Sequence, residues 1–294
     1  MRMIETEKSY AKINLHLGIG KKREDGYHSI SSLFHLINFF DLITIEVMNS
    51  MNTEVCIIGM PQVPTQENLM YKAALLYLDT IGAKAKIIIT IKKRMPIQGG
   101  LGGGSSNAAT VLLLLQRMFS YPLYNNQLYA LGSLLGSDVP FFLYQEPLCY
   151  VSGRGEIVTP IPSRKDLSLV LSTPHQFGVS TKQAFHDLDK TREAGWEEPC
   201  FFSEDELCHI YKKPVKEWSF YNDFKNIIIA YNDLYSNIYT LENKDFLWYT
   251  SISGSGSSFY TITDKGDERA IFDVFEEKYR TQVTNTLTNC IFLL

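Results

Sequence analysis

Nothing in the 294-residue sequence is apolar for long enough to cross a bilayer, and no basic run exceeds three residues. With 28 Lys and Arg against 32 Asp and Glu, and a net charge of −4, the chain lacks the basic footprint of a nucleic-acid binder. The opening "MRMIETEKSY" has no apolar core of the kind a secretion signal needs, so neither secretion nor a membrane anchor is expected. The five cysteines, Cys56, Cys149, Cys200, Cys208 and Cys290, are odd in number and scattered, with no Cys-x-x-Cys pair. They predict free thiols in a reducing cytoplasm and no structural zinc, each cysteine serving as a small hydrophobe. Also missing are G-x-x-x-x-G-K-[ST], a strict G-x-G-x-x-G, H-R-D, D-F-G and G-x-S-x-G. P-loop, Rossmann, protein-kinase and α/β-hydrolase readings fall with them.

What is present is a concentration of glycine. In "MPIQGGLGGGSSNAATVLLLLQ" (Met95 to Gln116) five glycines and two serines run into an apolar, helix-like block. Glycines allow positive φ and let successive N–H groups converge on one point; at a helix N-terminus those donors add to the helix dipole and suit a phosphate. Ser105, at the expected N-cap, and Ser106 offer hydroxyls to phosphate oxygens or a Mg²⁺ ion. A plain serine-capped surface turn is the alternative, and the apolar helix that follows weighs against it. The loop has no lysine of its own, so the charge of a triphosphate must be met by a metal and by cations from elsewhere in the chain.

The first half alternates strands with single helices. "YAKINLHLG" from Tyr10 predicts a half-buried strand, with Ile13, Leu15 and Leu17 on one face and Lys12, Asn14 and His16 on the other. Strands are expected in Leu33 to Val47 and Ala85 to Ile91, and a helix ending at Gly82. The helix after the glycines is apolar nearly all round and belongs mid-domain. A further helix ends at Gly136, with Pro140 in "SDVPFFLY" forbidding its continuation, and the run after Asp138 reads as strand-like. Short strands near Tyr150 and Ile157 close this half, and "TPIPSRKD" (Thr159 to Asp166) reads as a linker. The second half holds a buried strand "LSLVLST", a polar region from His186 to Lys216 of no clear period, and a helix from about Asn222. Paired strands around "SISGSGSSFYTIT", a helix from about Asp267 and a final strand "NCIFLL" follow. The pattern is α+β.

Four further features carry chemistry. Lys12 sits on the polar side of the first strand and can meet phosphate charge, though a solvated surface lysine gives the same pattern. Asp138 follows a helix end, where an acid can face an acceptor hydroxyl and take its proton, or simply cap a turn. In "DGYHSISS", Tyr27 and His28 offer a stacking face and a hydrogen-bonding edge of the kind that reads a nucleobase. "SGSGSS" (Ser253 to Ser258) is a second Gly/Ser turn, by itself a hairpin loop.

Together, "AKINLHL", "PIQGGLGGGSSNAA" and "SISGSGSS", in this order, resemble the three motifs of the GHMP kinases. The likeness is close over residues 9 to 160, looser over Leu167 to Phe185 and Ser251 to Ile262, and fades between His186 and Phe220. It implies a two-domain GHMP kinase fold, a ribosomal-protein-S5-like domain over 1–160 and a ferredoxin-like domain over 161–294, with a cleft between. It also implies ATP as phosphoryl donor, with Mg²⁺. Pairing "AKINL" with "DGYH" is similar to the branch that phosphorylates the 2-hydroxyl of a cytidine diphosphate-linked methylerythritol. By this resemblance Asp138 is the base and Lys12 holds its charge and that of the transferring phosphate. Asn14, Tyr27, His28, Thr181 and Phe185 are substrate contacts, Tyr27 and Phe185 walling the cytosine. Pro96, Gly99, Gly100, Leu101, Gly102, Gly103, Gly104, Ser105 and Ser106 surround the ATP phosphates, and Asn68 and Lys93 line the adenine pocket. A monomer or weak homodimer with no nucleic-acid or membrane partner is expected. A kinase of homoserine or mevalonate, and a nucleotide sensor without catalysis, stay open. Gln98 departs from the small residue usual at its position.

Overall fold

The computed structural model of the chain describes residues 2–175, 178–193, 201–231, 235, 248–264, 268–275 and 279–288. Two compact units interleave along the sequence: Met1–Ala11, Phe39–Met95 and Gly102–Gln145 make one, and Lys12–Asn38, Pro96–Leu101 and Glu146–Leu294 make the other. Two long paired strands, β1 (Arg2–Lys22) and β2 (His28–Asn49), each contribute residues to both.

The first unit adds β3 (Glu54–Ile58), α1 (Leu69–Thr80), β4 (Ala85–Lys92), α2 (Gly103–Met118), α3 (Asn125–Leu135) and α4 (Val139–Tyr144). β4 pairs antiparallel with the Leu42–Asn49 part of β2 and parallel with β3. Its alternating Ile87, Ile89 and Ile91 are buried, as a two-residue period requires. Asn68 caps α1 by accepting the Met70 N–H at 2.9 Å, and the helix stops before Gly82, whose φ of +65° suits glycine. α2 is buried almost all round, through Ala108, Ala109, Val111, Leu112, Leu114 and Leu115. In its last turn the buried Gln116 accepts from Tyr77 Oη at 2.9 Å and donates to the Leu123 carbonyl. The stretch expected as strand-like, "SDVPFFLY", is instead helix α4. Pro140 lies in its first turn, where a missing N–H breaks no helix bond.

The second unit carries β5 (Leu148–Ser152) and β6 (Ile157–Pro160), joined antiparallel to each other and, through β5, to Ser32–His35 of β2. Beyond them come β7 (Leu167–Thr173), α5 (Thr181–Glu193), α6 (Glu204–Lys212), α7 (Lys225–Tyr231), β8 (Trp248–Ile252), β9 (Phe259–Asp264), α8 (Glu268–Phe275) and β10 (Arg280–Asn285). The sheet order β10-β7-β9-β8 is antiparallel throughout. Counted along the chain, that is the 4-1-3-2 order of a ferredoxin-like sheet. α6 and the part of α5 from His186 onward fall in the region read as lacking a period. The start of α6 is a capping box between Ser203 and Glu206, a signal the sequence does carry. The expected strand "NCIFLL", with Cys200 and Cys290, lies outside the described residues. Cys56, Cys149 and Cys208 are free thiols. Among the described residues no helix is long and apolar enough to cross a membrane.

β1 departs from expectation: between Ala11 and Ile19 both of its faces are buried, and Lys12, Asn14 and His16 are at most 4% exposed. Aromatic rings of the second unit cover that polar face. Lys12 Nζ stands 4.2 Å from the centre of the Phe34 ring, and His16 stacks on Phe202 at 5.2 Å. Burial pushes His16 down to about 3 and His35 down to about 4, so both are neutral in the folded chain. Unfolding returns each to the ordinary value near 6.5 and lets it take up a proton. Stability therefore rises with pH across the window from about 4 to 6.5 and is lost as the pH falls through it. Denaturant titrations at pH 7 and pH 5 should differ by roughly 2–4 kcal/mol in favour of pH 7; equal midpoints would mean that these imidazoles are not held neutral.

Candidate active site

In the second unit three distant segments meet through their backbones. The Lys12 N–H donates to the Leu101 carbonyl at 3.0 Å, and the Ser258 N–H donates to the Gly99 carbonyl at 3.1 Å. Ser253 Oγ donates to the Gly100 carbonyl at 2.8 Å and approaches the Lys12 carbonyl at 3.4 Å. The second Gly/Ser turn is thus both the β8–β9 hairpin connection and the clamp on the first half of the glycine loop. Gly100 has φ +74°, and a Cβ there would stand 2.0 Å from the Ser253 carbonyl oxygen, so no other residue fits. At Gly99 a Cβ would meet the Pro96 ring at 2.5 Å.

Gln98 also finds its account here. It adopts φ +58°, the left-handed region that favours glycine. Its carbonyl accepts the Val179 N–H at 3.3 Å, and its side chain lies on Gly178, where a Cβ would be 3.3 Å from Gln98 Oε1. This bond offsets part of a backbone cost of about 1–2 kcal/mol.

Lys12 and Asn14 form one polar unit. Lys12 Nζ donates to Asn14 Oδ1 at 2.6 Å, and Asn14 Nδ2 donates to Ser32 Oγ at 3.2 Å. Ser32 Oγ in turn donates to the His16 carbonyl. The nucleobase candidates are placed differently from one another. His28 is buried, stacked on Phe185 at 4.9 Å, with Nε2 at 2.7 Å from Asp189. Tyr27 is half-exposed, and the Arg154 guanidinium lies 4.8 Å over its ring. Thr181 Oγ1 sits 3.0 Å from Ser255 Oγ of the clamping turn.

The rest of the glycine stretch belongs to the first unit. α2 begins at Gly103, with Gly102 as N-cap at φ +68°, so Ser105 is a third helical residue rather than the cap expected for it. Glycine reaches the cap conformation without help from a side chain, and the helix starts earlier. The Ser106 hydroxyl is buried and donates to the Tyr10 carbonyl at 2.6 Å, with Ser9 Oγ at 2.8 Å. It fastens α2 to β1, and Ser105 is the serine left partly exposed. Around the helix start lie Leu69, the residue after Asn68, whose Cδ1 is 3.7 Å from a Cβ built on Gly104, and Lys93, whose Nζ is 3.2 Å from one built on Gly103. Lys93 Nζ is bound to Asp41 Oδ2 at 2.5 Å. Asp138 opens α4, half-buried, with no side-chain cap bond.

Sequence reasoning missed Asp41, Asp189, Arg154, Phe34 and Ser9. Asp41 had a signal, being the sole carboxylate inside the apolar run "LFHLINFFDLITI". Among the described residues no group of three or more His, Cys, Asp and Glu could hold a metal ion.

A family model, the GHMP kinases N terminal domain, matches residues 68–146. A protein of Thermodesulfovibrio yellowstonii named 4-diphosphocytidyl-2-C-methyl-D-erythritol kinase is 32% identical over 288 residues, covering 96% of this chain and 98% of its own. One of the same name from Clostridium perfringens is 32% identical over 292 residues, with the same coverage. The chain belongs to the GHMP kinase family. Its likeness to these relatives places it with that family's 4-diphosphocytidyl-2-C-methyl-D-erythritol kinases. A crystal structure of 4-(cytidine 5'-diphospho)-2C-methyl-D-erythritol kinase superposes with a TM-score of 0.75 at 25% identity, over 96% of this chain and 99% of that one. Homoserine kinase from Cytophaga hutchinsonii follows at 0.69 and 16% identity, over 98% and 95%, which speaks for the GHMP kinase fold alone.

In this GHMP kinase the loop glycines differ in what they tolerate. Gly100→Ala should destabilise the fold by about 2 kcal/mol or more, because backbone must move. Gly104→Ala, which meets only an ordinary contact, should change stability by about 1 kcal/mol at most. Thermal or denaturant unfolding of the two variants reads the difference; equal effects would contradict the clamped-loop geometry.

Proposed function

We propose that the chain transfers the γ-phosphoryl group of ATP to the 2-hydroxyl of 4-diphosphocytidyl-2-C-methyl-D-erythritol. One observation carries the reading beyond family membership. The buried Lys12–Asn14 pair, the Gly99–Leu101 carbonyls and the Ser253–Ser258 turn are tied by direct hydrogen bonds, in a chain whose full-length relatives bear that substrate's name.

In this reading the amides of Gly100 to Ser106 cradle the phosphates, with Pro96 and Gly99 fixing the entrance and Asn68 at the nucleotide's side. Lys12, desolvated against Phe34 and oriented by Asn14, carries positive charge to the phosphoryl group as it moves, where low dielectric makes that charge count. Asp138 accepts the proton of the acceptor hydroxyl. Tyr27, His28, Thr181 and Phe185 take the cytidine end, and Asn14 contacts substrate as well as Lys12. Phosphoryl transfer demands little covalent chemistry of the protein, which suits a site made of held charges and amides.

Mg²⁺ belongs to the proposal too. No carboxylate cluster is present among the described residues, and the Ser106 hydroxyl is engaged by Tyr10, so the donor set fits a metal carried by the phosphates with the Ser105 hydroxyl within its loop. When bound, the ion supplies charge neutralisation on the phosphate oxygens. The sequence division into a catalytic 1–160 part and a 161–294 part, a cytoplasmic setting, a monomer or weak homodimer, and no nucleic-acid or membrane partner complete the reading.

Asp138→Asn and Lys12→Met should each lower kcat by about two to four powers of ten. Tyr27→Ala should raise KM for the cytidine substrate and leave KM for ATP unchanged. Turnover of Asp138→Asn within about threefold of wild type would sink the role given to that acid.

A further inference from the structure

Asp41 has no part in the roles assigned above, yet four donors converge on its carboxylate. It is fully buried, where an unpaired carboxylate costs several kcal/mol. Its oxygens accept the Arg94 N–H at 2.7 Å, the Met95 N–H at 2.9 Å, Asn107 Nδ2 at 3.0 Å and Lys93 Nζ at 2.5 Å. Three of these donors are neutral, enough by themselves to satisfy a carboxylate. The fourth brings in a second charge. Lys93 keeps 18% of its side chain exposed.

The effect of the pairing is to fix where that ammonium stands. Its nitrogen lies against the first residue of α2, 3.2 Å from a Cβ built on Gly103, beside amides that have no partner within the helix. Asp41 takes one of the three ammonium hydrogens, and two point elsewhere. Asn107, which donates to Asp41, also donates to Ser9 Oγ at 2.9 Å, and Ser9 meets Ser106. The same carboxylate therefore sets both the lysine and the first turn of the helix it faces. Burial lowers the proton affinity of Lys93 and Asp41 opposes that shift.

We propose that Asp41 is a positioning residue: it holds the Lys93 ammonium at the start of α2, where Lys93 binds the phosphate chain of ATP and supplies the lysine the glycine loop lacks. The proposal rests on the kinase reading for its ligand, and it gives Lys93 a phosphate role in place of the adenine-pocket role the family resemblance implied.

The test is isothermal titration of wild type, Lys93→Met, Asp41→Asn and the double variant with ATP, inorganic tripolyphosphate and adenosine. Each single variant should weaken ATP and tripolyphosphate about tenfold while adenosine stays within about twofold, and the double variant should bind like Lys93→Met. Equal losses for adenosine and ATP, no loss for tripolyphosphate, or an Asp41→Asn effect undiminished in the Lys93→Met background would each overturn it. Lys93→Met leaves Asp41 its three neutral donors and carries the test alone if Asp41→Asn does not fold: unchanged tripolyphosphate affinity then overturns the proposal. A wild type that binds ATP but phosphorylates no alcohol would overturn the kinase reading and leave the outcome of the titration standing.

Discussion

The close approach of the backbone at Gly100 to the turn at Ser253 is the constraint on which the rest of the site depends. With a Cβ excluded at 2.0 Å from the Ser253 carbonyl oxygen, the loop presses onto the hairpin connection and takes up its bonds from Ser253 and Ser258. The Leu101 carbonyl is then placed to receive the Lys12 N–H, which ties β1 to the loop. Glycine is used here for contact rather than for flexibility. The left-handed Gln98 is held by a neighbour on the other side and marks where the same loop accepts strain.

Charge in the site is managed by burial with specific partners. Lys12 and Lys93 are both drawn out of water, Lys12 by Asn14 and the Phe34 ring, Lys93 by Asp41. A lysine so held loses the conformational freedom that a surface lysine keeps, and a phosphate meeting it need not order it. The price is a polar network buried within each unit, with Ser9, Ser106, Asn107 and Asp41 in one and Asn14, Ser32 and His16 in the other. Such networks tolerate little rearrangement, since each broken bond leaves a buried group unpaired.

Much of the fold was legible because local signals agreed with it. The apolar periods of α1 and α2, the glycine after α1 and the alternation in β4 each sit where periodicity placed them. The exceptions have physical causes. "SDVPFFLY" read as strand-like after a helix that Pro140 could not continue, but a proline in a first helical turn costs no hydrogen bond, and burial of Phe141 and Phe142 against the first unit's helices decides the outcome. On β1 the polar residues pointed to a solvent face, whereas aromatic residues distant in sequence cover them. Lys12 and the glycines stood out in the sequence as candidates, and the structure joins Lys12 to Leu101 by a backbone bond; Asp41 stood out only as a lone carboxylate in an apolar run, and the partners of Asp41 and Asp189, Lys93 and His28, were hidden because they lie 52 and 161 residues away.

The central claim is the identity of the acceptor alcohol, and ATP consumption by the purified chain against a panel of alcohols tests it most directly. The account predicts turnover with 4-diphosphocytidyl-2-C-methyl-D-erythritol and none above background with homoserine, mevalonate or galactose. Turnover with one of those three, and not with the cytidine compound, would contradict it.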